Sequence, residues 1–306
     1  MTVLNGQMGV TAGNQTPITY EVKKSKRKNN LLKMGGEIDN KTTAMVGIIG
    51  AVLILFFWFV VTTFGGVSHT IFPTPQSVVT SYGELQREYG LGHNIWYSVK
   101  LNFLGYIEAI LISIPVGFLI GLFPLGKALM SKWVNAIRFV PLTAVTGLFI
   151  GWFGIELGMK VHFLAFGILI YLLPVIVQRI DEVEKVYLQT AYTIGASKWS
   201  TFKHVYFPSV VSKISDDVRV MVAISWTYII VAELINKEGG VGALIFTATK
   251  QSRVDMVFAI LLIIILVGYL QDQLFKFLDY LLFPYKYEKS QVKSRGMSFS
   301  KYFLKK

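Results

Sequence analysis

The chain has 306 residues, of which 53% are hydrophobic and only 16% charged, with a formal net charge of +12. Soluble domains carry about 25% charged residues, so the composition excludes an ordinary soluble globule and points to a protein that crosses a membrane several times. Cysteine is absent, which excludes a disulfide framework and any cysteine-ligated metal site.

The chain begins with "MTVLNGQMGVTAGNQTPITYEVKKSKRKNN". It has no apolar stretch ahead of its basic run, unlike a secretory signal. Residues 1–42 are expected to form a disordered, basic, cytoplasmic tail. Nucleic-acid binding is not expected, because no aromatic interleaving accompanies the lysines.

Six apolar runs follow, at Thr43–Phe64, Leu101–Leu125, Phe139–Ile155, Val161–Val177, Val218–Ile235 and Met256–Leu270, the last continuing towards Phe283. A helix needs about 20 residues to cross some 30 Å of hydrocarbon, so the third and fourth runs are short for spans. Strict two-residue alternation is missing, which argues for helices over barrel strands. Pro115, Pro141 and Pro174 lie in or at the ends of runs, where a membrane helix tolerates a kink. Gly117–Gly121 and Gly147–Gly151 form Gly-x-x-x-Gly pairs suited to close helix contact. The fold class expected is an all-α membrane protein with six spans over residues 43–283.

Lysine and arginine are unevenly shared. The N-terminal tail, the loop with Lys127, Lys132 and Arg138, the loop with Arg179, Lys185, Lys198, Lys203 and Lys213, and the tail 284–306 hold most of them. That asymmetry predicts both termini in the cytoplasm.

Catalytic and nucleotide motifs fail on inspection. "GLFPLGKA" (Gly121–Ala128) nearly matches a phosphate-binding loop, but Ala128 lacks the hydroxyl and the stretch ends a membrane run. His69, His93, His162 and His204 show no metal-ligand spacing. Neither Gly-x-Ser-x-Gly nor His-Glu-x-x-His occurs.

The most informative stretch is "QTAYTIGASKWSTFKHVYFP", Gln189–Pro208. Asp181 is expected to cap a helix with Glu184 completing the box. Small and apolar positions at Val183, Val186, Tyr187, Thr190, Ala191 and Ile194 recur at helical spacing. Gly195 suits a left-handed stop, Ser197 a second cap, and Pro208 an end before the fifth span. The segment reads as a helix–turn–helix lying along the cytoplasmic face, its turn kept small for close approach.

This segment resembles the "EAA" coupling loop of ABC importer permeases. Gln189 stands where the family has Glu, and Thr190 and Ala191 where it has two Ala. Gly195 matches the family Gly, and Phe207–Pro208 the terminal hydrophobe–Pro pair. Ala196, Ser197 and Phe202 complete the expected ATPase-coupling set. "FPTPQSVV" (Phe72–Val79), "FVPLTAVTGLFIGWFGI" (Phe139–Ile155) and "SWTYIIVAELINKEGGVGALI" (Ser225–Ile245) are similar to the nitrate/sulfonate/taurine branch, so the resemblance covers about Phe72 to Tyr285.

The resemblance implies a type I importer permease fold in the cell inner membrane and a homodimer or heterodimer of permeases in the lipid bilayer. It also implies two separate ABC ATPase subunits that bind ATP and Mg²⁺, and an extracytoplasmic substrate-binding protein. This chain would bind no cofactor of its own. Buried acids in membrane helices usually face protein or water, which makes Glu108 and Glu233 candidates for the pathway, with Asn102, Thr143, Thr146, Ser225 and Trp226 beside them. Structural roles remain open for both acids, and Glu233 could instead hold the Gly239–Gly240 loop. The solute class implied is nitrate-, sulfonate-, taurine- or bicarbonate-like. The alternatives are a urea- or guanidine-like solute, or a secondary transporter.

Overall fold

The computed structural model describes residues 38–236 and 238–287, and every element in them is helical. Most of the N-terminal tail, including its Lys23–Lys28 run, and the end of the C-terminal tail lie outside the described residues. The chain divides between Phe57 and Trp58 into two units.

Helix α1 (Asn40–Phe64) carries no acidic or basic residue after Lys41. From Trp58 on it belongs to the larger unit, where Trp58 Nε1 donates to the Pro73 carbonyl at 2.9 Å. A proline-led helix, α2 (Pro75–Tyr89), is capped by the Thr74 side chain on the Ser77 N–H. Gly90, in the left-handed region at φ 59°, then turns the chain into α3 (Leu91–Leu122).

α3 and α6 (Leu157–Asp181) are the central pair. Gly105, Ala109, Ser113, Gly117 and Gly121 recur every fourth residue of α3, which lines them up on one face. Leu164, Ile176 and Ile180 of α6 press so closely on Gly105, Gly117 and Gly121 that a β-carbon at any of the three would overlap them. Small residues thus allow the close approach that drives membrane helix packing. The Gly117–Gly121 pair is part of this seam. A β-carbon at Gly147 or Gly151 would meet nothing within 4 Å.

Among the described residues, four helices are long and apolar enough to cross a bilayer: α1, α3, α6 and α12 (Val254–Leu282). The regions expected as third and fifth spans form shorter helices, α5 (Leu142–Phe153, 12 residues) and α10 (Val222–Leu234, 13 residues). Before α5, α4 (Pro124–Ile137) meets it at 105°. Pro141 explains the break, since a proline disfavours helical backbone in the residue before it. Pro115 and Pro174 by contrast sit inside α3 and α6.

The remaining elements are α7 (Lys185–Thr193), α8 (Lys198–Thr201), a π-widened turn at Phe202–Tyr206, α9 (Phe207–Val220) and α11 (Val241–Lys250). The main core joins α2, α3, α6, α9, α10, α11 and α12 through residues such as Leu85, Leu101, Ile168, Val210, Ile229, Leu244 and Ile260.

Candidate functional site

The segment between α6 and α10 is a helix–turn–helix handle. Its root is held by ion pairs. Asp181, the last residue of α6, accepts from Lys127 Nζ. Arg179 places Nε and Nη2 on the two Asp217 oxygens at 2.8 and 2.7 Å, and Nη1 on Glu182 at 2.7 Å. Such a forked guanidinium–carboxylate contact fixes direction as well as distance. It keeps the Glu182 carboxyl below the usual carboxylate range, with the hydrogen bond from Arg179 as the main cause. Lys213 Nζ adds a bond to the Glu182 carbonyl.

Asp181 therefore is not the cap of the handle's first helix. Its carboxylate is occupied by Lys127, 54 positions back in the chain, and the N-cap position of α7 falls to Glu184, whose side chain makes no capping bond.

α7 ends in a Schellman motif. The Gly195 N–H bonds the Tyr192 carbonyl and the Ala196 N–H the Ala191 carbonyl, with Gly195 at φ +72°. This paired pattern closes a helix through a left-handed residue, the conformation glycine adopts without penalty. Ser197 Oγ then accepts from the Ser200 N–H at 3.1 Å and starts α8.

Pro208 does not end the segment. The helical path runs on through the π turn into α9, with Pro208 in the first turn of α9. A proline supplies no N–H and crowds the carbonyl four residues back. The widened turn, closed by the Phe207 N–H on the Phe202 carbonyl, lets the chain pass without a stop.

Within the handle, Ala191 is buried while Gln189, Thr190, Gly195, Ala196 and Ser197 leave the core. Thr190 and Thr193 return their hydroxyls to the Val186 and Gln189 carbonyls. Val186, Tyr187, Tyr192, Ile194 and Trp199 are exposed large apolar groups. Phe202 anchors the handle inward: its ring meets Phe118 of α3 edge-on at 5.3 Å, and Phe207 stacks on Phe118 at 5.9 Å. Next to the handle lies a cavity of about 430 Å³ lined by Thr190, Ala191, Ile194, His204, Pro208 and Tyr285, among others.

The polar residues expected along a pathway fall into three places. Asn102, Ser225 and Trp226 are brought together and buried. Asn102 Nδ2 donates to Ser225 Oγ at 3.0 Å, Gln271 Nε2 donates to Asn102 Oδ1 at 2.7 Å, and Trp226 Nε1 donates to Gln271 Oε1 at 2.8 Å. Gln271, unremarked in the sequence, closes this chain between α3, α10 and α12; the polar Gln271–Asp272–Gln273 stretch that follows the apolar first half of α12 was the signal.

Glu233 is fully buried. It accepts the Ser98 hydroxyl on one oxygen and the Gly242 N–H, at 2.7 Å, on the other. Ser98 Oγ in turn accepts the Val241 N–H at 2.9 Å, and Asn94 Oδ1 accepts the Gly240 N–H at 2.7 Å. In this conformation Glu233 holds the glycine turn that leads into α11, and it is enclosed by protein together with Asn102 and Ser225.

Glu108 stands elsewhere. Its Oε1 lies 2.7 Å from His162 Nδ1 of α6, with both side chains partly exposed. Thr143 is exposed and Thr146 half-exposed on α5, and neither joins the other polar groups.

Among the described residues, several apolar helices of spanning length and an exposed handle between α6 and α10 are the build of a multi-pass membrane protein. The sequence profile of the family described as "Binding-protein-dependent transport system inner membrane component" matches residues 113–282, more than half of the chain, and the chain belongs to that family. It is 29% identical over 238 residues to an aliphatic sulfonates transport permease protein, SsuC, of Bacillus subtilis, covering 77% of this chain and 85% of that one. It is 24% identical over 246 residues to the taurine transport system permease protein TauC of Escherichia coli, covering 79% and 89%. Among solved structures, the inward-facing MetNI methionine ABC transporter aligns with a TM-score of 0.53 at 15% identity, over 63% of this chain and 95% of that one, a likeness of fold. The chain is thus a permease subunit of an ABC import system of the inner membrane, similar to sulfonate and taurine permeases. Permeases of this class work with ATPase and substrate-binding partners.

Proposed function

We propose that the chain forms half of a dimeric pathway importing a small sulfonate-like solute, and that Gln189–Pro208 carries the stroke of two separate ATPase subunits into the spans. ATP and Mg²⁺ would sit on those partners, and an external binding protein would deliver the solute. Both termini and the handle would face the cytoplasm, on the side where lysine and arginine collect. The substrate class is supported by the sulfonate and taurine permeases among the relatives.

The observation that carries the coupling role is the build of the handle. It is stiff at the Gly195 Schellman turn, exposes Tyr187, Tyr192, Ile194 and Trp199, and is bolted to α3 through Phe202 on Phe118. A rigid-body switch between two states needs such an element, because packed interfaces pass on discrete shifts.

Gly195→Asp tests it. A β-carbon there meets nothing within 4 Å in this chain, so the cost inside the protomer is the left-handed backbone alone, about 1–2 kcal/mol. Against a docked ATPase the carboxylate would also be desolvated. The variant should insert and dimerise, yet lose ATPase co-purification or the stimulation of ATP hydrolysis by loaded binding protein. Wild-type ATPase stoichiometry together with a wild-type transport rate would remove the coupling role from this segment.

A further inference from the structure

Glu108 lies near the middle of the 32-residue α3, roughly 25 Å from its start at 1.5 Å per residue. It pairs with His162 across the α3–α6 seam at 2.7 Å, but the pair is not closed off: the His162 side chain is 40% exposed and that of Glu108 28%. Only Oε1 is used. Among the described residues, Oε2 of Glu108 accepts no hydrogen bond, and no lysine or arginine forms an ion pair with this carboxylate. Against an ionised carboxylate the imidazole donates from Nδ1, which orients Oε1 towards α6.

An acid with an open acceptor at this depth does not rest against lipid, where a charge is costly. This is the opposite of what Asn102, Ser225 and Glu233 do, since each of those spends its polar atoms on partners inside the protomer. Aromatic surface borders the pair. The Phe153 ring lies 4.6 Å from the imidazole, and Phe153 and its neighbour Trp152 are 47% and 67% exposed. A carboxylate with an open oxygen next to aromatic faces, and with no lysine or arginine paired to it among the described residues, is matched by an ammonium group, which offers three donors to the oxygen and a charge to the rings. It is mismatched to a bare oxyanion.

We infer that Glu108, positioned by His162, is a solute-contacting residue that takes the primary ammonium group of an amine-bearing sulfonate during passage and so selects such zwitterions over plain alkanesulfonates. This rests on the pathway and solute class proposed above.

The test uses the full complex of permease and ATPases in nanodiscs without binding protein. Direct binding of radiolabelled taurine is measured, with ethanesulfonate, its analogue lacking the amine, as competitor. Wild type should bind taurine and prefer it over ethanesulfonate. Loss of a hydrogen bond to a charged group corresponds to about tenfold or more, so Glu108→Gln should weaken taurine by that factor while ethanesulfonate changes by less than about twofold. His162→Gln should erode the same preference to a smaller extent. Equal taurine affinity in Glu108→Gln, equal competition by ethanesulfonate in wild type, or no taurine binding at all would overturn the inference. So would dissociation of the permease dimer in Glu108→Gln, which would make the pair a subunit contact. ATP-dependent uptake by wild type with its binding protein separates the two levels. Uptake of any aliphatic sulfonate alongside failed taurine binding sinks only the Glu108 assignment, whereas absence of uptake of every sulfonate sinks the solute class as well.

Discussion

Glu233→Ala should unlatch the glycine turn ahead of α11. The carboxylate is fully buried and holds two donors, the Ser98 hydroxyl and the Gly242 N–H. Removing it leaves both unpaired in the protein interior, at about 1–3 kcal/mol each. Part of this is returned, because a buried carboxylate is itself costly to hold. A net destabilisation of about 2–4 kcal/mol follows. Gly240→Ala attacks the same latch from the other side: Gly240 has φ +98°, and its added β-carbon would overlap the Glu233 carboxylate. The two changes share one contact, so their effects should not add in the double variant. Thermal unfolding of the purified permease reads the loss, and limited proteolysis at Gly239–Gly240 reads the opening of the turn. Glu233→Ala with an unchanged melting temperature and an unchanged cleavage rate at that turn would show that the carboxylate latches nothing.

The α3–α6 seam predicts a sharp contrast among glycines. Gly117→Leu, forced against Ile176, should cost at least the ~1–3 kcal/mol of an overpacked core, while Gly147→Ala, with open space around its β-carbon, should leave the unfolding midpoint of the protomer within a degree or two; equal midpoints would show that the seam is not close-packed. On α2, the Glu84 carboxyl is held below its ordinary 4.5, chiefly by the hydrogen bond from Arg253, which forks onto both its oxygens at 2.7 and 2.8 Å. A depressed acid contributes stability that is present above its unfolded value and lost as pH falls through the lower folded value. The stability gap between wild type and Glu84→Gln should therefore be open at about pH 7 and close as the pH falls below the ordinary 4.5, and a gap independent of pH would refute the pairing. The orientation is tested by Ser200→Cys in a chain with no other cysteine: an impermeant thiol reagent should label it in inside-out vesicles and not in intact cells, and the reverse pattern would invert the proposed topology.

The limits of the sequence reading have a common physical origin. What local chemistry dictates was legible: apolar runs gave the helices, and Gly195 with Ser197 gave the turn and second cap of the handle, whereas Pro141, expected only to kink a span, stands at a full break. What depends on a distant partner was not. Asp181 has the residue type and spacing of a cap, yet its carboxylate goes to Lys127 because the ends of α3 and α6 lie together. Pro208 obeys the rule that proline stops a helix only until the chain finds room for a π turn, which depends on how Phe202 and Phe207 pack on Phe118. The same distinction separates the polar residues. Glu108 and Glu233 look equivalent in sequence, each a single acid in an apolar run. Their difference is made by the donors that reach them: the Ser98 hydroxyl and the Gly242 amide put one donor on each oxygen of Glu233, while His162 meets only one oxygen of Glu108. Glu233, with a donor on each oxygen, is tied to the turn that leads into α11. Glu108, with one oxygen open on a partly exposed surface, keeps room for a further donor, and the proposed solute contact rests on that difference.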